Sequence, residues 1–243
     1  MGIRQFFTYC LLGVSTLFFA VPSLSNTDND LYLKAHSYLS KSQYNKYQKA
    51  LDKLQKHPLL PYLESRWIRR QFYKTPIQQL DDFLVKYKDQ PPAQVLKRQW
   101  VKYLAKKQKW QLFLDYYYPT ENLSLQCHRV TALNSTNRHF DALLEGQDLW
   151  LRGIPLPKAC DRVFANWKRQ GYLSQDLVWQ RFLKSLENKE YKLARYLKKK
   201  LPKALRSKAY TVQKLWRRPY RMFSDAKALQ LEPDVRAMIL NKA

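Results

Sequence analysis

Apolar side chains recur at helical intervals along most of the chain. The first stripe covers positions 31–39 and the second covers positions 47–54, and in each the apolar residues follow the i, i+3, i+4 spacing of one helix face. The polar run at residues 40–43 separates them. This pattern predicts two short helices joined by a tight turn, which is a helical hairpin.

Prolines divide the rest of the chain into further short helices. The break at Pro58 and Pro61 follows the second stripe, because proline lacks a backbone donor and restricts its predecessor. Thr75-Pro76 predicts a helix start with Thr75 as N-cap, and Pro91-Pro92 predicts the end of that helix. No alternating segment bounded by Asn-Gly or Asp-Gly turns indicates a strand.

The predicted fold class is therefore all-α, a right-handed and solenoid-like superhelix of short helical hairpins. We assign the superhelical domain to residues 26–218, and residues 219–243 to a C-terminal helical tail or truncated continuation. An irregular helical bundle is the alternative.

Two cysteines mark the segment around which the chain is organised. Cys160, Val163, Phe164 and Trp167 have the i, i+3, i+4, i+7 spacing of a buried stripe, and Cys127 begins a similar one. Helical spacing also relates the apolar positions between the cysteines, Phe140, Leu143, Leu144 and Leu151. Both sulfurs are expected to point inward, either as a disulfide, worth roughly 3.5 to 4 kcal/mol in the chain-entropy model, or as two buried free thiols.

The first 25 residues predict a secretory signal peptide. Arg4 precedes an apolar run at residues 6–21, and small residues at Ser23 and Ser25 follow it. We expect cleavage near Ser25, a periplasmic location and no transmembrane segment in the mature chain, with an uncleaved anchor as the alternative. An oxidising compartment would favour the disulfide.

Positive charge dominates the composition and is concentrated near the C-terminus. The chain carries 44 Lys and Arg against 19 Asp and Glu, a formal net charge of +25. Residues 189–221 contain thirteen basic residues and one acidic residue, Glu190, with aromatic residues interleaved. Such a field predicts an anionic partner. Because the chain is predicted to be exported, nucleic acid is disfavoured as the partner and an anionic polymer of the cell envelope is favoured. The alternative is a solvated basic face that binds no specific partner.

Residues that would indicate catalysis or a cofactor are scarce. Five glycines leave no phosphate-binding loop or nucleophile elbow. The four histidines are scattered, so no metal site and no cofactor is expected. They are His36, His57, His128 and His139. From these residues alone we identify no catalytic site.

Several short motifs, taken together, resemble the N-terminal part of the soluble lytic murein transglycosylases. They occur in that family's order from about Tyr32 to Tyr191. They are Pro58-Leu59-Leu60-Pro61-Tyr62-Leu63-Glu64, Pro91-Pro92-Ala93, Ala105-Lys106-Lys107 followed by Trp110, Gln126-Cys127, Leu149-Trp150-Leu151, and Ala159-Cys160-Asp161 followed by Trp167. The resemblance implies a U-shaped α-superhelix in which Cys127 and Cys160 form a disulfide. It also implies a link to enzymes that cleave peptidoglycan glycan strands without water, leaving anhydromuramyl ends, with one glutamate as acid and base.

The family's catalytic motifs are not matched. A Glu-Ser pair on a helix, Gly-Leu-Met-Gln and Ala-Tyr-Asn do not occur in order before Ala243, and the one Glu-Ser dipeptide, Glu64-Ser65, lies in the superhelix region. We assign no catalytic residue and expect the catalytic domain to be missing, with the chain inactive alone as a truncated product or one piece of a split enzyme.

The resulting hypothesis is a non-catalytic superhelical portion of a periplasmic lytic murein transglycosylase. Its expected partners are peptidoglycan or another anionic envelope polymer, and a separate catalytic subunit. The candidate polymer contacts are Lys198, Lys199, Lys200, Arg217 and Arg218. The alternative is an exported helical-repeat scaffold that binds a protein and has no murein role.

Overall fold

The computed structural model describes residues 26–242, so the predicted signal peptide lies outside the described residues. Over this range the chain forms thirteen α-helices and two 3₁₀ turns, and no strand. The helices divide into two compact units, one extending to Ala93 and the other beginning at Gln94.

The first unit contains the predicted hairpin. Its helices are α1 (Asn26–Ser40), α2 (Tyr44–Lys53), α3 (Leu60–Arg70) and α4 (Ile77–Lys86). The polar run ends α1 and a left-handed Ser42 (φ 58°) turns the chain into α2. Tyr47 is fully buried between the helices, and its hydroxyl donates a 2.8 Å hydrogen bond to the Leu63 carbonyl. The predicted break between the first two stripes is confirmed.

The start of α4 differs from the prediction. Pro76 precedes the first helical residue, Ile77, and Thr75 does not cap α4. The Thr75 hydroxyl instead donates to the Gln71 carbonyl at 2.9 Å, just beyond the end of α3. The prediction of Thr75 as N-cap was wrong because the free carbonyls at the end of the preceding helix lie within reach of the same hydroxyl.

Helix α5 (Pro91–Lys106) begins at a proline, as expected for a residue whose missing donor would be unpaired there anyway. The second unit then continues through eight helices. They are α6 (Trp110–Tyr116), α7 (Leu123–Ser135), α8 (His139–Leu151), α9 (Asp161–Arg169), α10 (Gln175–Glu187), α11 (Tyr191–Lys200), α12 (Lys203–Arg217) and α13 (Pro233–Leu240). The 3₁₀ turn Lys158–Cys160 leads into α9, and the turn Pro219–Phe223 follows α12.

One buried cluster joins α10 to α13. Phe182 of α10, Leu197 of α11 and Leu215 of α12 belong to it, and so does Ile239 of α13. Residues beyond position 218 therefore share this core. The separate tail assigned to residues 219–243 stays a prediction.

A buried arginine fixes α10 against the segment after α8. The Arg181 guanidinium lies 4.1 Å from the centre of the Trp150 ring and donates to the Ile154 carbonyl at 3.0 Å. Burial lowers the pKa of Arg181 to about 10, since the charged form loses water on entering the core. It stays positively charged at neutral pH and is stabilised by the ring face.

Helices α8 and α9 approach so closely that one position tolerates no side chain. A Cβ added at Gly146 would lie 2.4 Å from Cζ2 of Trp167, whose indole is only 5% exposed. Trp167 belongs to the buried cluster that also contains both cysteines. The glycine therefore sets the distance between the two helices.

We expect Gly146→Ala to lower the free energy of unfolding by about 1 to 3 kcal/mol, because the methyl group overpacks this contact. In an exposed helix the same change would raise stability by about 1 kcal/mol. Chemical denaturation checks the sign. The control introduces Gly146→Ala in a Trp167→Phe background, which lacks Cζ2 and should tolerate the methyl group better. A stabilised single variant would contradict the packing described.

Candidate functional site

The second unit has a cleft between α11 and α12 whose lining is strongly cationic. Its volume is about 540 Å³. We call it the basic cleft. Its residues are Arg195, Lys198, Lys199, Tyr210, Gln213, Lys214, Arg217, Arg218 and Arg221. No acidic side chain is among these lining residues, so the cleft concentrates positive charge.

The sequence places these charges together through helix periodicity. In α11 the core takes Ala194 and Leu197, and in α12 it takes Ala209, Val212 and Leu215. The basic residues at i, i+3 and i+4 spacing then share the remaining faces. Burying the apolar stripe of each helix therefore leaves about half of its cations beside the cleft. They are Arg195, Lys198 and Lys199 of α11 and Lys214 and Arg217 of α12.

Lys198 is the most buried of the residues that line the basic cleft and is only 8% exposed. Its ammonium donates a 2.5 Å hydrogen bond to Gln213 Oε1 and lies 3.8 Å from the centre of the Tyr210 ring. Burial, and then the neighbouring Arg217 and Arg195 charges, lower the pKa of Lys198. A bound anion would offset the cost of burying the Lys198 charge and would reduce its repulsion from Arg217 and Arg195.

Four of the five predicted polymer contacts line this cleft: Lys198, Lys199, Arg217 and Arg218. Lys200 is not among the lining residues, and its ammonium lies 5.3 Å from the Tyr196 ring centre.

Sequence reasoning missed three cations of the basic cleft, Arg195, Lys214 and Arg221. The signal was present, because Arg195 stands three and four residues before Lys198 and Lys199. Lys214 likewise precedes Arg217 and Arg218 by three and four residues. The Lys214 ammonium also pairs with Asp225 at 3.0 Å, which leaves the other cleft cations without an acidic partner among the described residues.

A second cleft of about 600 Å³ lies among α7, α8 and α9. We call it the amide cleft. Its polar and aromatic lining consists of Thr131, Asn134, Ser135, His139, Phe140, Arg162, Asn166, Trp167, Arg169, Gln170 and Tyr172. Again no acidic side chain is among the lining residues described.

The disulfide lies behind the walls of the amide cleft. Cys127 of α7 and Cys160, at the entry to α9, are joined with their Cα atoms 5.0 Å apart, and both are buried. The predicted buried stripe continues through Val163 and Trp167. The cross-link thus fixes the α7 wall relative to the α9 wall.

Helix α8 presents a different face from the one its leucine spacing suggested. Phe140 is 72% exposed and Leu144 is 48% exposed, whereas Ala142 and Gly146 are buried. Small residues face the core because α9 approaches there so closely. Phe140 is consequently left at the edge of the amide cleft.

The Glu64-Ser65 dipeptide lies on α3 in the first unit. The Ser65 hydroxyl donates to the Tyr62 carbonyl at 3.1 Å, within its own helix. Glu64 lines a separate cleft of about 320 Å³ together with Asp52, Asp82 and Lys86. We assign neither residue a catalytic role.

Among residues 26–242, no group of three or more His, Cys, Asp or Glu side chains is arranged to hold a metal ion. No helix within this range has the length and apolar content needed to span a bilayer.

The fold defines an all-α protein of helical hairpins that is cross-linked by one disulfide. One of its clefts is lined by cationic side chains and another by amide-bearing side chains. Comparison with curated proteins finds similarity to soluble lytic murein transglycosylases. The protein of that name from Escherichia coli K12 is 26% identical over 170 residues, which is 68% of this chain and 26% of that protein. The one from Salmonella typhimurium is 32% identical over 119 residues, 49% of this chain and 18% of that protein.

Solved structures that are similar to this chain are also lytic transglycosylases. An inactive mutant of lytic transglycosylase Slt from Pseudomonas aeruginosa matches with a TM-score of 0.71 and 26% identity, covering 87% of this chain and 34% of that one. The 70-kDa soluble lytic transglycosylase of Escherichia coli matches with a TM-score of 0.68 and 21% identity, covering 89% and 41%. No protein-family model matches the sequence.

The chain is therefore homologous to the soluble lytic murein transglycosylases over part of their length. It spans about a quarter of the curated Escherichia coli relative. The resemblance described from the sequence motifs is confirmed, and so is the predicted fold class of all-α, solenoid-like helical hairpins.

We expect the double variant Cys127→Ala and Cys160→Ala to lose roughly 3.5 to 4 kcal/mol of unfolding free energy, because the cross-link closes 33 positions of the unfolded chain. Urea unfolding measures the change. Reductant should destabilise the wild-type protein by a similar amount and leave the variant unaffected. A wild-type protein that is insensitive to reductant and no more stable than the variant would contradict the role given to the disulfide.

Proposed function

We propose that this chain is a non-catalytic superhelical portion of a periplasmic lytic murein transglycosylase and that it binds peptidoglycan through the basic cleft. The similarity to proteins named for their action on murein supports peptidoglycan as the polymer that is bound. The observation that carries the binding role is the cluster of seven basic side chains around one cleft. The periplasmic location follows from the predicted signal peptide.

The chemistry of the basic cleft matches the acidic groups of peptidoglycan peptides. Arginine presents a planar fork that binds carboxylates through two parallel hydrogen bonds, and Arg195, Arg217, Arg218 and Arg221 supply four such forks. Lys198 adds a partly desolvated charge at the base. The packing of the helices already holds these hydrogen-bond donors close together, so that they could bind a carboxylate in the cleft.

The proposed mechanism is positional. Glycoside cleavage needs at least one carboxyl group held against the scissile bond, and neither cleft of the second unit is lined by an acidic side chain among the described residues. The chain would hold the polymer while a catalytic domain or a separate catalytic subunit cleaves it.

The triple variant Lys199→Gln, Arg217→Gln and Arg218→Gln should bind purified sacculi about tenfold more weakly at low ionic strength, since each exposed charge pair contributes about 0.5 kcal/mol. Lys198 is kept because it is buried. Co-sedimentation measures the affinity. Raising the salt from about 0.05 M to about 0.5 M should weaken wild-type binding as screening shortens the range of the charges.

The matched control is Lys106→Gln, Lys107→Gln and Lys109→Gln, which removes the same charge from exposed positions at the end of α5 and just before α6. It should bind sacculi nearly as well as wild type. Equal loss in both variants would mean that net charge alone drives association. Absence of binding at low salt, together with co-purification of one stoichiometric partner that survives high salt, would favour the exported scaffold instead.

A further inference from the structure

We infer that the amide cleft binds a carboxylate-bearing, N-acetylated amino sugar of a glycan strand. The inference deepens the proposed function and rests on it for the identity of the polymer. It shares no lining residue with the basic cleft, so the two sites can be tested separately.

Exposed aromatic rings at the mouth of the amide cleft suit the apolar face of a sugar ring. Phe140 is 72% exposed and Tyr172 is 49% exposed, while Trp167 lies buried beneath them. Neither exposed ring contributes its full surface to the core, and each would gain by being covered. Concave sites that combine such rings with a few fixed polar groups are typical of small-ligand binding.

A network of amides holds the polar groups of the amide cleft in place. Asn134 Oδ1 lies 2.9 Å from His139 Nδ1, and Arg169 donates to Asn166 Oδ1 at 3.0 Å. Asn166 in turn donates to Gln170 Oε1 at 3.3 Å. These contacts use the amide oxygens of Asn134 and Gln170. Their amide nitrogens, which make no hydrogen bond to any described residue, remain as donors for acetyl and hydroxyl oxygens.

The charge of the amide cleft selects an acidic sugar over a neutral one. Arg162 and Arg169 stand seven residues apart on α9 and therefore share a face. No ion pair joins either guanidinium to a described acidic residue, and Arg162 makes no hydrogen bond within the described chain. A sugar carboxylate would supply the missing partner for Arg162.

The test compares two soluble probes that differ in the carboxylate. One is the disaccharide of N-acetylglucosamine and N-acetylmuramic acid, and the other is chitobiose, which has two N-acetylated rings and no acid. Calorimetry and amide chemical-shift titration of the purified protein measure binding. We expect the acidic disaccharide to bind about tenfold more tightly than chitobiose, and its shifts to map to α7, the start of α8 and α9.

Arg162→Gln should remove that preference by weakening the acidic disaccharide about tenfold while leaving chitobiose unchanged. Lys168→Gln is the control, because it removes one charge from the same helix outside the cleft. Tyr172→Ala should weaken both probes, since the ring covers the sugar face in either case. All three substituted positions are exposed, so the variants are expected to fold.

The possible results separate this inference from the proposed function. Sacculus binding without disaccharide binding would overturn the amide-cleft assignment alone. The disaccharide could bind at the amide cleft while the basic-cleft substitutions leave the affinity for sacculi unchanged. That result would support the amide-cleft site and overturn the role of the basic cleft. Equal affinity for the two probes, or equal effects of Arg162→Gln and Lys168→Gln, would overturn the carboxylate assignment.

Discussion

The close approach of α9 to α7 and α8 is the constraint on which much of the second unit depends. Helix α9 has nine residues, too few to be stable in isolation. Two features hold it in place, namely the disulfide from Cys160 to Cys127 and the contact of Trp167 with Gly146. Because both act from the buried side, the opposite face of α9 is left free to present its arginines and amides. The packing thus decides both stability and the composition of the amide cleft.

The composition of the basic cleft is likewise decided by which face of each helix is buried. Helix α11 carries Lys198, Lys199 and Lys200 in its last turn, where cations interact favourably with the helix dipole. Its apolar stripe must face α10 and α12, so these cations cannot spread evenly around it. Burial, and then the repulsion from Arg217 and Arg195, lowers the pKa of Lys198. A protein selected for stability alone would gain by placing carboxylates opposite these charges, and the cleft lining has none.

Helix positions could be predicted from the sequence, but the neighbours of each helix could not. The break before α2 and the inward-facing cysteines follow from local periodicity and turn chemistry, which need no tertiary information. The error at Thr75 arose because two helix ends compete for one hydroxyl. The helical spacing of Phe140 with the leucines predicted a helix, but it could not reveal that α9 approaches over Gly146 and leaves Phe140 exposed. The spacing of Arg195 from Lys198 and Lys199 was visible in the sequence, but only the packing of α11 and α12 shows that these charges line one cleft.

If the proposed function holds, the two clefts would bind different parts of the polymer. The basic cleft offers several charges and little enclosed apolar surface, which favours carboxylates on mobile peptides and an affinity sensitive to salt. The amide cleft offers exposed rings, oriented amides and two arginines, which favour a defined sugar conformation. A chain that holds a glycan by one site and its peptides by the other would fix the strand more firmly than either contact alone, because the second contact forms at a high effective concentration. Positioning of this kind requires no catalytic residue in the clefts, only that the helices carrying them stay fixed by their buried faces.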